Sequence, residues 1–351
     1  MPDVTAPRTR IADVARQAGV SKAAVSFAFN NPGRLNADTA ARIRQIARDL
    51  GYRPHPVARM LTAGSTATIG ILSPQALPDV FANPFFPLFA EGVASVTEER
   101  GFGLLFISPL HGSLARAIGR ATVDGLIVVG LDQRHPEIES IRRAGLPVVV
   151  VDAPPWPEHG SIEVDDMAGA MAAARHVLGL GHRDLLVISL EPSEAQADEA
   201  SVMGRRMSGY RRAFEEFDID IGSERVVVAP ATFEGGESAF LRAWEDGLRP
   251  TAVLSMSDAA AAGVLQAARH LRLAVPAELS VVGFDDLPLT RFTDPPLTTV
   301  HQPVRRKGEE AARMLLEALL PEQTAGGSHR VLETRLVVRR STATAAVGVR
   351  R

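Results

Sequence analysis

The sequence predicts an α/β protein in which a short all-α module and a linker precede two doubly wound, parallel-sheet subdomains. Three observations lead there. Apolar residues in roughly the first fifty positions recur at helical spacing. About 270 later residues alternate short continuous apolar runs with longer helical patterns, the signature of parallel strands covered on both faces. The length, 351 residues, exceeds what one compact core usually holds.

Composition narrows the class of activity. There are no cysteines, which excludes disulfides, thiolate metal sites and cysteine nucleophiles. No apolar run approaches the length of a membrane helix, and the opening MPDVTAPRTR lacks the apolar stretch of a secretory signal, so a cytoplasmic address without membrane partners is expected. No Walker A loop, HExxH helix or GxSxG elbow occurs. The GLGH at Gly179 lies between a helix and a strand, the reverse of the order that would hold a phosphate, and reads as a helix stop followed by a surface histidine, His182. A non-enzyme without metal or cofactor is expected. The net charge of -3 is unevenly spread: residues 1–62 carry ten basic and four acidic residues, a net of +6, and the remainder is at -9. A basic head on an acidic body points to a polyanion partner for the head alone.

Within the head, Ile11, Val14, Ala15 and Ala18 form one helical stripe that Gly19 stops. Ser21 then caps a second helix, whose Val25 and Phe29 face inward while Lys22, Ala23, Ser26, Phe27 and Asn30 fall largely on the other face. A third helix runs from the cap Asn36 to Leu50, with Ile43, Ile46, Ala47 and Leu50 inward. Two short helices joined by a tight glycine turn and braced by a third make a helix-turn-helix unit, whose second helix enters the DNA major groove N-terminus first. Pro54 and Pro56 then end the third helix and allow a short one over residues 57–62, too short to be stable alone in water.

The stretches TRIADVARQAGVSKAAVSFAFNN and RIRQIARDLGYRPHPVARML closely resemble the DNA-binding segment and hinge helix of the LacI family of bacterial transcription regulators. The resemblance implies base reading by Lys22, Ala23 and Phe27, backbone contacts from Ser21, Asn30, Arg34 and Thr39, hinge packing across a homodimer by Val57 and Ala58, and Leu61 as a wedge at a minor-groove base step. Two residues depart from the family pattern. Phe27 stands where arginine is frequent, and a phenyl ring offers only apolar contact to a thymine methyl or sugar; it could equally join Phe29 in the core. His55 stands where asparagine is common.

The strands are expected at 68–72, 103–107, 125–129, 148–152, 185–189, 225–228, 252–255 and 279–284, with helices at 87–100, 166–180, 203–217, 236–246, 258–271 and 303–320. Ligands of doubly wound sheets bind beyond the strand C-termini, where Ser73, Ser108, Asp152, Ser189, Asp258 and Asp285 gather. The same region, in stretches such as NPFF, VDGLIVVG, RRMSGY, SMSDAAAAG and SVVGFDDLP, resembles the family's effector domain, itself like a periplasmic sugar-binding protein. By that resemblance Arg206 and Asp258 hold the effector, expected to be a sugar or sugar derivative; Ser73, Ser108, Asp152 and Phe233 are further candidates. The expected division is 1–53 for the DNA-binding domain, 54–66 for hinge and linker, 67–341 for the effector domain and 342–351 for a tail. Within the effector domain, 67–163 with 294–327 would form one subdomain and 164–293 with 328–341 the other. The segment 109–124 is shorter than in the family, and PPWPEHG around Trp156 is either a lid on the cleft or a rigid turn. The function implied is a regulator, a repressor, of a pseudo-palindromic operator; a small-molecule binding protein without DNA activity is the alternative.

Overall fold

The computed structural model describes residues 9–30, 32–53, 60, 64–190, 199–319 and 327–346, in two units that divide between Thr66 and Ala67. In the first, α1 (Ile11–Ala18), α2 (Lys22–Asn30) and α3 (Ala37–Asp49) enclose Val14, Ala18, Val25, Ala28, Ile43 and Ala47. Gly19 takes the left-handed conformation that ends α1 (φ 63°), a position favouring glycine because it has no Cβ. Ser21 Oγ accepts from Ala24 N at 3.1 Å and Asn36 Oδ1 from Asp38 N at 2.9 Å, so both expected caps form. Arg44 Nε donates to Ala28 O at 2.9 Å and Thr9 Oγ1 to Leu50 O at 2.8 Å, tying the three helices together. His55, Val57, Ala58 and Leu61 lie outside the described residues.

The second unit contains two six-stranded sheets. The first is parallel throughout, in the order β2 (Gly103–Ile107), β1 (Thr68–Leu72), β3 (Gly125–Val129), β4 (Val148–Val151), β5 (Gly160–Val164), β11 (His329–Leu332). The second runs β7 (Val226–Ala229), β6 (Leu185–Leu190), β8 (Ala252–Ser255), β9 (Ser280–Asp285), β10 (Thr298–His301), β12 (Arg335–Val337), with only the β10–β12 pair antiparallel. In each sheet the order reverses beside β1 or β6, creating the crevice at the strand C-termini where doubly wound folds bind ligands. Helices cover both faces. Phe85–Thr97 and Val304–Ala318 cross at Gly92 and Gly308, where a Cβ on either would meet the opposite backbone at 2.0–2.2 Å.

Three features depart from expectation. The chain passes between the sheets after β5, after β10 and between Leu332 and Arg335, so residues 294–301 belong with the second sheet and 327–332 with the first. Strands β5, β10, β11 and β12 lack the continuous apolar runs of β1, β3, β4 and β6, which is why periodicity passed over them. Residues 342–346 are no free tail: His182 Nε2 donates to Ala343 O at 2.9 Å while its Nδ1 bonds Thr251 Oγ1 at 3.0 Å, and Ala345 N donates to Leu180 O. His182 is therefore buried rather than a surface loop residue, and burial lowers its pKa.

Trp156 is also settled. It is 2% exposed within the core beneath β4 and packs edge-on to His159, so its loop is a rigid plug and not a lid. The short segment 109–124 folds as a helix at Leu114–Ile118, held by Glu137, which accepts from Ser113 Oγ and Leu114 N, both at 2.6 Å.

Helix Val202–Glu216 approaches helix Asp166–Gly179 at Gly209, where a Cβ would lie 2.3 Å from Met167 O. Replacing Gly209 with alanine should cost about 1–3 kcal/mol by forcing the pair apart. Urea unfolding checks this; unchanged stability would show that the helices separate freely.

Candidate functional site

Between the two sheets lies a cleft of about 340 Å³ lined at the strand C-termini by Ser73, Asp152, Arg206, Thr232, Ser257 and Asp285, with Gln302 from the crossing segment after β10. Four of the residues named from sequence meet there: Ser73, Asp152, Arg206 and Asp285. Four do not, Ser189 among them. Asp258 is fully buried beneath the cleft; its carboxylate accepts from Leu287 N at 2.7 Å and Thr299 Oγ1 at 2.5 Å, which fix the loop after β9. Phe233, at the first turn of helix Phe233–Glu245, is 42% exposed, and its neighbour Thr232 reaches the cleft while capping Gly235 N at 3.0 Å. Ser108 lies at the end of β2, outside the lining.

The residues that sequence reading passed over complete the site. Lys307 is fully buried; its ammonium donates to both Asp152 oxygens (2.7 and 2.8 Å) and to Gln302 Oε1 (2.6 Å). Gln302 Nε2 in turn donates to Asp285 Oδ1 at 2.5 Å. Asp285 faces Arg206 Nη2 at 3.6 Å, and Arg206 donates from Nε to Asp166 Oδ1 at 2.8 Å and from Nη1 to the Met256 carbonyl. The guanidinium carbon sits 3.6 Å above the Phe284 ring. Arg205 Nη2 donates to the other Asp166 oxygen at 2.7 Å, and its Nη1 lies 3.5 Å from Glu163 Oε2. Asp285 was visible in the FDD motif, and Lys307 occupies the inward stripe Val304, Lys307, Gly308, Ala311, where a lysine is a signal of burial with a partner.

Burial sets the electrostatics. It would raise the Asp166 carboxyl, but the charges of Arg206, Arg205 and Lys307 outweigh it and hold Asp166 below the ordinary carboxylate value. Burial pushes Asp285 up to about 6 even though Arg206 pulls the other way, and it raises Asp258 well above its usual value, with Asp285 adding to the rise. Asp152 (φ 55°) and Asp285 (φ 118°) both take left-handed backbone at strand ends, a strain of about 1–3 kcal/mol each that the surrounding bonds sustain.

In the first unit, Ser21, Lys22 and Ala23 are exposed along the start of α2, and Arg34 is exposed beyond it. Phe27 is half-buried and stays out of the core cluster; Arg34 stacks over its ring at 5.5 Å, while Phe29 packs edge-on to Tyr52. Ser26, Asn30 and Thr39 are half-buried, and Asn30 Nδ2 donates to Ser26 Oγ at 3.3 Å.

A helix-turn-helix unit with an exposed lysine at the start of its second helix, joined in one chain to a two-sheet cleft, defines a ligand-responsive DNA-binding regulator. Residues 10–55 match the family described as "Bacterial regulatory proteins, lacI family", and residues 174–342 match the "Periplasmic binding protein-like domain". The HTH-type transcriptional repressor CytR of Escherichia coli (strain K12) is 31% identical over 338 residues, 94% of this chain and 95% of that protein. Among solved structures, the transcriptional regulator CelR–cellobiose complex aligns at TM-score 0.69 and 26% identity, over 95% of this chain and 100% of that one. The lac repressor dimer bound to operator and the anti-inducer ONPF aligns at TM-score 0.77 and 24% identity, over 96% of this chain and 100% of that one, a likeness of fold. The chain belongs to the lacI family of bacterial regulatory proteins.

The raised Asp285 pKa has a definite sign. Between about pH 4 and 6 the unfolded chain has released this proton and the folded one keeps it, so its contribution to stability is full below about pH 4 and falls as pH rises through 6. The unfolding free energy of Asp285→Asn relative to the unaltered protein should therefore rise by up to about 3 kcal/mol across that interval. Chemical unfolding at several pH values measures it; parallel profiles would mean that Asp285 does not titrate there.

Proposed function

We propose that the protein is a transcriptional repressor that binds a pseudo-palindromic operator as a homodimer and is controlled by a sugar or sugar derivative held in the cleft. The observation carrying this reading is the meeting of Asp152 and Asp285, one from each sheet, around Arg206: carboxylates that accept from hydroxyls beside a fork of donors. The repressor names of relatives, among them a ribose operon repressor, and the cellobiose held by CelR support it. Effector affinity and operator affinity are then linked reciprocally, typically by about 1–3 kcal/mol. The site of action is the cytoplasm; among the described residues no helix is long and apolar enough to cross a membrane.

Lys22, Ala23 and Phe27 are assigned to base edges, with Ser21, Ser26, Asn30, Arg34 and Thr39 near the backbone. A phenyl ring outside the core with a guanidinium stacked on it fits a thymine methyl beside a phosphate, so the operator differs from one read by arginine at that position. In gel-shift assays on the gene's own upstream DNA, Lys22→Ala should weaken binding by about 1–3 kcal/mol and relax the preference for sequence. Leu61→Ala should weaken binding and reduce DNA bending with ligand response kept. Loss of no affinity in either variant would remove the headpiece assignment.

Dimerisation is supported by exposed apolar residues on both subdomains: Leu77, Phe81, Leu105 and Leu110 beside the edge strand β2, and Phe292, 86% exposed, after β9. Phe292→Glu together with Phe81→Glu should yield a folded monomer in sedimentation and abolish tight operator binding. A dimer that survives both changes would place the interface elsewhere.

A further inference from the structure

We infer that Lys22 is a regulatory acylation site, at which an activated carboxylic acid, an acyl phosphate or acyl thioester, weakens operator recognition without entering the cleft. The inference rests on the reading of Lys22 as a DNA contact. Of the chain's 38 basic residues, 36 are arginine and only Lys22 and Lys307 are lysine. A guanidinium stays protonated in proteins and is no nucleophile toward such donors, so these two amines are the only side chains able to form a stable amide. The fold separates them completely. Lys307 is fully buried, and its three N–H groups go to both Asp152 oxygens and to Gln302 Oε1. Lys22 is exposed at the start of α2 and, among the described residues, has no hydrogen bond or ion pair.

The surroundings favour such a donor. Acyl phosphates are anions, as is the phosphorylated carrier of acetyl-CoA, and a head at +6 on a body at -9 concentrates anions beside Lys22. Helix α2, KAAVSFAFN, holds no carboxylate that would compete for the ammonium. In the reaction the unprotonated Lys22 nitrogen attacks the acyl carbon and a C–N bond forms. The C–O bond to phosphate, or the C–S bond to the thiol, breaks; the leaving group departs with the electron pair, and the amine proton passes to water. The product amide keeps one N–H and no charge, so the donor set offered to base edges is lost. The nine other basic residues of the head are arginines and stay charged. General attraction to the phosphate backbone therefore survives, and recognition of sequence is what acylation removes. Operator affinity gains a second input, separate from the cleft: the supply of activated acyl groups.

The test exposes the folded full chain to acetyl phosphate and, in a separate arm, to acetyl-CoA. Peptide mass spectrometry locates the products, and gel shifts on the gene's own upstream DNA are measured before and after. Beyond the chain's α-amine, one acetyl group is expected, on Lys22, from at least one donor, with Lys307 joining only when the chain is unfolded in urea. Operator bound beforehand should shield Lys22. Acetylation should weaken sequence-selective binding roughly 5- to 150-fold, the range for a lost base contact. Lys22→Arg, compared only with itself, should be indifferent to the treatment whatever its starting affinity. A Lys22 that stays unmodified in the folded chain, or an equal loss of binding in treated Lys22→Arg, overturns the inference and leaves the headpiece reading in place. Full acetylation of Lys22 with operator binding unchanged overturns it too, and Lys22→Ala then separates the cases. Normal binding by that variant takes the DNA-contact assignment down as well, whereas weakened binding leaves it standing.

Discussion

Charge withdrawn from water is tolerable only where each member finds its partner, and at the junction of the two sheets this condition governs the molecule. Lys307, Asp152, Gln302, Asp285, Arg206 and Asp166 form one connected series of donors and acceptors, nearly all of it buried. Removing any one member strands its neighbour as a buried charge, so the series behaves as a unit. Its members come from both sheets and from the segments that pass between them: Asp152 ends β4, Asp285 ends β9, Asp166 follows the first crossing and Gln302 the second. The angle between the subdomains is thus set by hydrogen bonds with fixed lengths. A change of angle requires an exchange of partners, which favours discrete arrangements over continuous bending.

The two carboxylates that face the cleft are also held in strained backbone, and the two facts are connected. A left-handed residue at a strand end turns the chain out of the sheet there, and both carboxylates line the crevice. Such a conformation persists when the surrounding bonds over-determine it, and here Lys307 and Gln302 supply those bonds. The site is consequently in place before any ligand arrives. The helix-turn-helix unit is organised on the opposite principle, with a small apolar core of valine, alanine and isoleucine and its cations left outside, where they remain hydrated until a phosphate backbone replaces water.

Much of this was legible in the sequence, and what was missed has a physical cause. The three helices of the head, their serine and asparagine caps and the glycine stop follow from local rules, as do the inner strands of both sheets, because continuous apolar runs of valine and isoleucine have few alternatives. β5, β10, β11 and β12 were invisible since polar residues interrupt their runs, whereas the edge strands β2 and β7 were read from apolar ones. Of two aspartates near strand ends, Asp258 was preferred and Asp285 proved to face the cleft; pattern places both at the same depth, and only the path of the loop after β9 decides which carboxylate is roofed over by Leu287 and Thr299. Lys307 was overlooked because a helix stripe was read for its apolar members. The long-range partner that makes a buried lysine possible, Asp152, is 155 residues away.

The distribution of charge constrains how the two halves communicate. The head carries the cations that meet DNA and the body carries the excess of acid, so one conceivable signal would be electrostatic, with a charged effector altering the field felt by the operator. The cleft lining itself carries three carboxylates to one guanidinium, so it already shares the body's excess of acid. What any ligand in the cleft alters first is the set of hydrogen bonds offered to Asp152, Asp285 and Arg206, and these same groups hold the subdomains at their angle. A message carried by those bonds is geometric, set by which acceptors a ligand occupies, while salt dependence is the property of the basic headpiece that meets a phosphate backbone.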